Sequence, residues 1–255
     1  MKMNKGVTQN DTTVVEWDFK ATEQAAEQGD VEAQNSLGFM YEQGQGVARN
    51  YAKAFEWYLK SAEQGVAEAQ NNLGNIYLNG LGVAQNDAKA VEWYSKAAEQ
   101  GLAFAQNSLG FMYLNGQGVA QSDAKAFEWY LKAAEQGLPW AQFNLGNIYL
   151  NGLGVTQSDT KAVEWYLKAA EQGLASAQFN LGFMYLYGQG VAQSDSKAFE
   201  CYLKAAEQED ASAQYVLGVM YYEGRGVAKN EAKAIEWLTK AANNGNMEAK
   251  EILSK

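Results

Sequence analysis

The chain has no histidine, one cysteine (Cys201) and one proline (Pro139) in 255 residues. Imidazole general bases, ordinary zinc sites and a disulfide framework therefore have no residues to work with. No catalytic residue, metal site or cofactor is expected. A run of about 18 apolar residues, the length needed to span a bilayer, is also missing. The opening MKMNKGVTQNDTT has lysines but no hydrophobic stretch behind them, so it does not read as a signal peptide. As written the chain reads as cytoplasmic; removal of a signal peptide would make it periplasmic or secreted. Positive charge is scarce, with 20 Lys and Arg against 30 Asp and Glu and a net charge of −10. Affinity for nucleic acid comes from cations neutralising phosphates, so that partner class is disfavoured, whereas a basic protein or peptide would be steered toward the surface. What is present is core material: 47% hydrophobic and 13% aromatic residues exclude wholesale disorder. Glycines, 25 of them, punctuate Ala/Glu/Gln/Lys stretches in the manner of many short helices.

The dominant feature is internal repetition. Leu-Gly recurs at Leu37, Leu73, Leu109, Leu145, Leu181 and Leu217, a period of 36 residues. Tyr41, Tyr77, Tyr113, Tyr149, Tyr185 and Tyr221 keep the same spacing. So do Trp57, Trp93, Trp129, Trp165 and Trp237, with Cys201 where a tryptophan would stand. Six units follow, over 30–65, 66–101, 102–137, 138–173, 174–209 and 210–245. FMY, GQG and AFEWY mark units one and three, and NIY, GLG and AVEWY mark units two and four, which implies duplication of a two-unit block.

Each unit reads as two helices. In the first, Ala33, Leu37, Met40 and Tyr41 share one face of helix A. Gly44 suits a left-handed helix end, and Gly46 with Val47 makes a tight connection. Asn50, Asn86, Ser122, Ser158, Ser194 and Asn230 then suit the N-cap of helix B, mostly followed by an acidic residue that complements the helix dipole. Helix B carries Ala54, Trp57, Tyr58 and Ala62 and stops near Gly65. Pro139 falls at the first position of its helix A, where its missing donor is harmless. Glu209 and Asp210 replace the usual Gly and hydrophobic residue at the end of unit five. A lone hairpin cannot cover its own apolar faces, so neighbouring units must stack. Residues 1–12 are expected to be unstructured, and an N-terminal capping helix is expected over 13–29. It opens with a Thr13/Glu16 capping box and places Trp17, Phe19, Ala25 and Ala26 against the first unit. A C-terminal capping helix over 246–255, with Met247, Ala249, Ile252 and Leu253, should cover the last helix B. The predicted fold class is an all-α helical-hairpin solenoid of six 36-residue repeats with capping helices.

The pattern A-x-x-x-L-G-x-x-Y-x-x-G-x-G-V, followed by K-A-x-E-W-Y-x-K-A-A-E-Q-G, resembles the Sel-one-like repeat family, relatives of the tetratricopeptide repeats, over about residues 30–253. The resemblance implies a right-handed α/α superhelix serving as an adaptor or scaffold for protein partners, often in bacteria. Some secreted members carry two cysteines per unit as disulfide staples, which this chain lacks.

Positions identical in every unit are most economically explained by packing, so Leu37, Gly38, Tyr41, Gly44, Gly46, Trp57 and their equivalents are assigned to the core. Lys53, Glu56, Lys60 and Glu63 on helix B read as a self-neutralising solvated face. Cys201 reads as a small filler for an indole. What varies is a stripe on the A helices. It comprises Asn72, Asn75 and Asn79, then Phe104 and Phe111, then Trp140, Phe143, Asn144, Asn147 and Asn151, then Phe179, Asn180, Phe183 and Tyr187, and Tyr215. A helices line the concave side of hairpin superhelices, so the stripe is expected to form a groove. Asparagine is a poor helix former, but its amide can donate and accept at once, as a peptide backbone requires. The aromatics would serve as anchors. The alternative is that the asparagines bond between adjacent helices and the aromatics fill gaps. The expected function is a non-enzymatic scaffold, monomeric, binding a protein or peptide. An inhibitor or immunity protein that sequesters a toxin is the second reading, and a hydrolase acting on glycan or peptidoglycan the third.

Overall fold

A computed structural model describes residues 19–254, and among these every regular element is an α-helix. The expectations on residues 1–18, including Thr13, Glu16 and Trp17, lie outside the described residues. The helices are α1 (19–27), α2 (Val31–Gln43), α3 (Tyr51–Glu63), α4 (Ala67–Asn79), α5 (Asp87–Glu99), α6 (Ala103–Asn115), α7 (Asp123–Glu135), α8 (Pro139–Asn151), α9 (Asp159–Glu171), α10 (Ala175–Tyr187), α11 (Asp195–Ala206), α12 (Ala211–Glu223), α13 (Glu231–Asn243) and α14 (Met247–Leu253). The chain divides into two compact units, the first ending at Ser122 and the second beginning at Asp123. Inside each, consecutive helices pack against one another in chain order, α2 through α6 in the first and α7 through α14 in the second.

The helix ends obey the capping chemistry. Asn50, Asn86, Ser158, Ser194 and Asn230 each accept from the backbone N–H three residues on, and Pro139 opens α8. At the end of α11 the chain departs from its sisters. Where Gly65, Gly101, Gly137, Gly173 and Gly245 have positive φ, Glu209 takes φ 65°, the one non-glycine with positive φ among the described residues. Asp210 offsets part of this cost by capping α12, its Oδ1 accepting from Ala213 N at 2.8 Å. A left-handed side-chain residue costs about 1–2 kcal/mol, of which glycine's greater unfolded-state entropy returns a part. Glu209→Gly is therefore expected to stabilise the second unit by about 1 kcal/mol, read as a higher urea midpoint at unchanged slope. No gain would mean the loop carries no strain.

The core is built on small residues that let helices approach and on one ring per hairpin. Ala54, Ala90, Ala126, Ala162 and Ala198 are fully buried, as are Tyr58, Tyr94, Tyr130, Tyr166 and Tyr202 on the B helices. Each of four tyrosine rings packs directly against a glycine of the helix A in its hairpin: a Cβ on Gly38 or Gly74 would sit 2.6 Å from Tyr58 or Tyr94 Cδ1. Between hairpins, Phe55 meets Tyr77 edge-on at 5.6 Å, and Phe199 meets Tyr221 at 5.3 Å. Phe19 of α1 meets Tyr41 in the same way at 5.8 Å, so α1 stands in for a helix B.

Three expectations are corrected. The tryptophans are only half-buried, because the adjacent tyrosine takes the hairpin interior. Each tryptophan lies instead beneath a lysine of its own helix, with Lys60, Lys96, Lys132, Lys168 and Lys240 Nζ 3.8–4.2 Å from the ring centroids. The helix B lysines are accordingly not a mere solvated face, since these contacts are cation–π pairs and a second set, Lys53 and its equivalents, lies over Tyr41, Tyr77, Tyr149, Tyr185 and Tyr221. Finally, α14 covers its neighbour through Ala249 alone, while Met247, Ile252 and Leu253 are exposed. Leu253 occupies the register of buried Leu217, but no helix B follows to close over it.

Candidate functional site

A polar spine, not anticipated from sequence, joins the hairpins. Gln34, Gln70, Gln142, Gln178 and Gln214 are buried. In the first unit, Gln34 Nε2 donates to Ala26 O at 3.2 Å and Gln34 Oε1 accepts from Gln64 Nε2 at 2.7 Å. Gln70 repeats this with Ala62 O and Gln100, and Gln178 in the second unit with Ala170 O and Gln208. The carbonyls are those of C-terminal helix turns, which lack intrahelical donors. The signal was present as an A-Q pair in every unit, masked because glutamine reads as surface.

The same accounting decides the asparagines of the stripe. Buried tyrosines must place their hydroxyls, and Tyr94 and Tyr166 each donate to Asn75 and Asn147 Oδ1 at 2.6 Å. Burial pushes the Tyr166 hydroxyl up to about 12 and that of Tyr94 higher still, so both remain protonated donors. Asn79 and Asn151 Nδ2 donate back to the carbonyls of Asn75 and Asn147. Asn72 Nδ2 reaches Asn35 Oδ1 at 3.2 Å, Asn180 reaches Asn147 at 3.5 Å, and Asn144 also has a partner within the protein. Of these bonds, Asn72 to Asn35 and Asn180 to Asn147 join adjacent A helices, while those of Asn79 and Asn151 lie within one helix and those from Tyr94 and Tyr166 come from a helix B.

The aromatics divide into two sets. Phe143 and Phe179 are half-buried on the rings of Tyr166 and Tyr202, with centroids 5.8 and 5.4 Å apart, and Tyr215 packs on the Leu238 cluster. Phe104 and Phe111 in the first unit, and Trp140, Phe183 and Tyr187 in the second, are between 43% and 61% exposed. Trp140 stands edge-on to Phe143 at 6.4 Å, and Phe183 and Tyr187, one turn apart, pack at a tilt of 49° with centroids 4.5 Å apart.

Between α10 and α12, Phe183 and Tyr187 border a cleft of about 400 Å³, whose walls also include Phe179, Tyr215, Val219 and Met220. Glu223 and Arg225 complete it. Arg225 is the one cation at the middle position of the six G-x-G turns. It is held in place by Asp195, whose Oδ1 lies 3.1 Å from its Nε, and by the carbonyl of Leu186. Val219, Met220 and Arg225 were not anticipated from sequence, although the isolated arginine was a legible sign. Among the described residues no cluster of three or more potential metal ligands occurs, and no helix is long and apolar enough to cross a membrane.

A family model for the Sel1 repeat matches residues 31–66, 67–102, 103–138, 141–174, 175–210 and 211–246. The chain belongs to the Sel1 repeat family. Solved Sel1 structures agree. A protective antigen of uropathogenic Escherichia coli strains, which displays an SLR fold, is 40% identical with a TM-score of 0.86, over 91% of this chain and 50% of that one. A Sel1 repeat protein from Oxalobacter formigenes is 39% identical with a TM-score of 0.85, over 92% of this chain and 68% of that one. The chain thus spans half the length of the Escherichia coli protein. An immunity protein from Pseudomonas aeruginosa, 21% identical with a TM-score of 0.53 over 86% of this chain and 83% of that one, shares the fold alone. No curated protein matches the chain. The fold is the all-α Sel1 solenoid, a class that in general serves as a non-catalytic scaffold for protein interactions.

Proposed function

We propose that this chain is a non-enzymatic interaction scaffold that anchors a protein or extended peptide in the aromatic cleft between α10 and α12. The supporting observation is the exposure of Phe183 and Tyr187, 43% and 57%, at the mouth of an apolar cleft. Large rings left in water beside a concavity are the usual energetic centres of interfaces. Recognition on this reading is by apolar insertion, with the arginine and glutamate at the rim fixing orientation. The net charge of −10 favours a basic partner by raising its association rate.

The test is capture of a partner by the full chain from its native source, identification by mass spectrometry, and titration of the purified partner. Phe183→Ala with Tyr187→Ala is expected to weaken that titration by about thirtyfold, the effect of one hot-spot residue, with helicity unchanged because both rings are exposed. Unaltered affinity would remove the cleft as the anchor.

A further inference from the structure

Trp93 packs, together with Leu59 and Tyr77, against the buried cluster of Ala62, Ala69 and Leu73. Lys96 closes over its ring at 3.8 Å. Trp57 is seated in the same way against Ala26, Leu37 and Tyr41 beneath Lys60. In the fifth repeat the tryptophan is replaced by Cys201, and the residues in register with the walls of the Trp93 seat are Leu167, Ala170, Leu181 and Tyr185. All four survive, and together with Cys201 and Lys204 they line a pocket of about 270 Å³. Neighbouring side chains have not collapsed into it. Lys204 is in register with the lysines that cover a tryptophan in the other five repeats. Burial pushes the Cys201 thiol up to about 11, so the pocket wall it forms is uncharged at neutral pH.

We propose that this pocket binds an indole ring, supplied as the tryptophan side chain of a protein partner. The walls are those that hold the chain's own tryptophans, the covering cation is in place, and the exposed rim residues Glu171, Glu200 and Lys204 leave the mouth open to solvent. Above the apolar floor of Leu167, Ala170, Leu181 and Tyr185, a ring of matching shape gains dispersion contacts, and Lys204 over that ring would add a cation–π contribution. Gln178, Lys197, Glu171 and Glu200 complete the lining. A side chain entering from outside would meet the same surfaces as the native indole, which is why a tethered ring is favoured over other occupants. The inference rests on the chain being an interaction scaffold but not on the cleft between α10 and α12.

The experiment follows fluorine-labelled N-acetyltryptophan amide by NMR with the full chain. Binding is expected to the native protein and to Cys201→Ala, which keeps the cavity, and to be at least about tenfold weaker in Cys201→Trp, which fills it with the residue of the other repeats. The Phe183→Ala/Tyr187→Ala protein is expected to bind the amide normally, so loss at one site cannot be mistaken for loss at the other. No binding to the native protein, or equal binding by Cys201→Trp, overturns the proposal. Binding of labelled free indole with exclusion of the amide overturns the assignment to a partner's side chain.

Discussion

Gly82→Ala is expected to destabilise the first unit by about 3 kcal/mol, whereas Gly65→Ala should cost only about 1 kcal/mol, although both glycines have positive φ. At Gly65, with φ 96°, an added Cβ has nothing within 4 Å, so the loss is conformational alone. At Gly82, with φ 72°, the Cβ would lie 2.6 Å from Ala52 N and from the Tyr51 carbonyl carbon. These are backbone atoms of the helix B one repeat earlier, and they cannot rotate away as a side chain can. In repeats two to six the second glycine of the G-x-G turn is thus where one hairpin's turn touches the preceding hairpin. Gly118, Gly154, Gly190 and Gly226 repeat the contact against Asp87, Asp123, Asp159 and Asp195. Urea unfolding followed by far-ultraviolet circular dichroism separates the two variants, and equal losses would show that the turn does not set the repeat spacing.

Removal of the ring in Tyr94→Ala should cost about 4 kcal/mol, and in Trp93→Ala about half as much, the reverse of what residue size suggests. Tyr94 has no exposed surface; its ring lies on Gly74 and its hydroxyl donates to Asn75 at 2.6 Å. Alanine there opens a cavity and strips Asn75 of its donor. Trp93 is half in water and is covered on its exposed side by Lys96, so less buried surface is lost with its ring. The chain contains one such substitution already, Cys201, beside a Tyr202 that remains fully in place. A larger loss from Trp93→Ala in thermal or urea unfolding would restore the tryptophan to the centre of the hairpin.

How far the molecule could be read before its structure depended on the kind of physics involved. Helix ends were legible because capping is local: Asn50, Ser158 and Asn230 bond three residues away, and Pro139 needs no distant partner. Stacking was legible because the apolar faces repeat in phase every 36 residues and a hairpin cannot cover its own. The exposed aromatics were legible as departures from that repetition. What failed were decisions between neighbours that look alike. Trp57 and Tyr58 recur with equal regularity, and only the position of Gly38 across the hairpin shows which ring goes inside.

The amino-acid order by itself determined the all-helical hairpins, their number, their caps and the family to which they belong, since these rest on contacts within a few residues and on a period that any register preserves. Tertiary structure alone decided that Asn75 and Asn147 serve buried tyrosines, that Gln34 and its equivalents tie hairpins together, that Val219, Met220 and Arg225 join Phe183 and Tyr187 around a cleft, and that the seat beside Cys201 stays open. Each of these depends on pairing groups up to 39 residues apart, as between Arg225 and Leu186, and on whether a buried polar atom finds a partner or an apolar space finds a filler. Such outcomes are settled by packing in three dimensions, and even where a residue recurs in phase, as in the A-Q pair of every unit, the period does not say what its side chain meets.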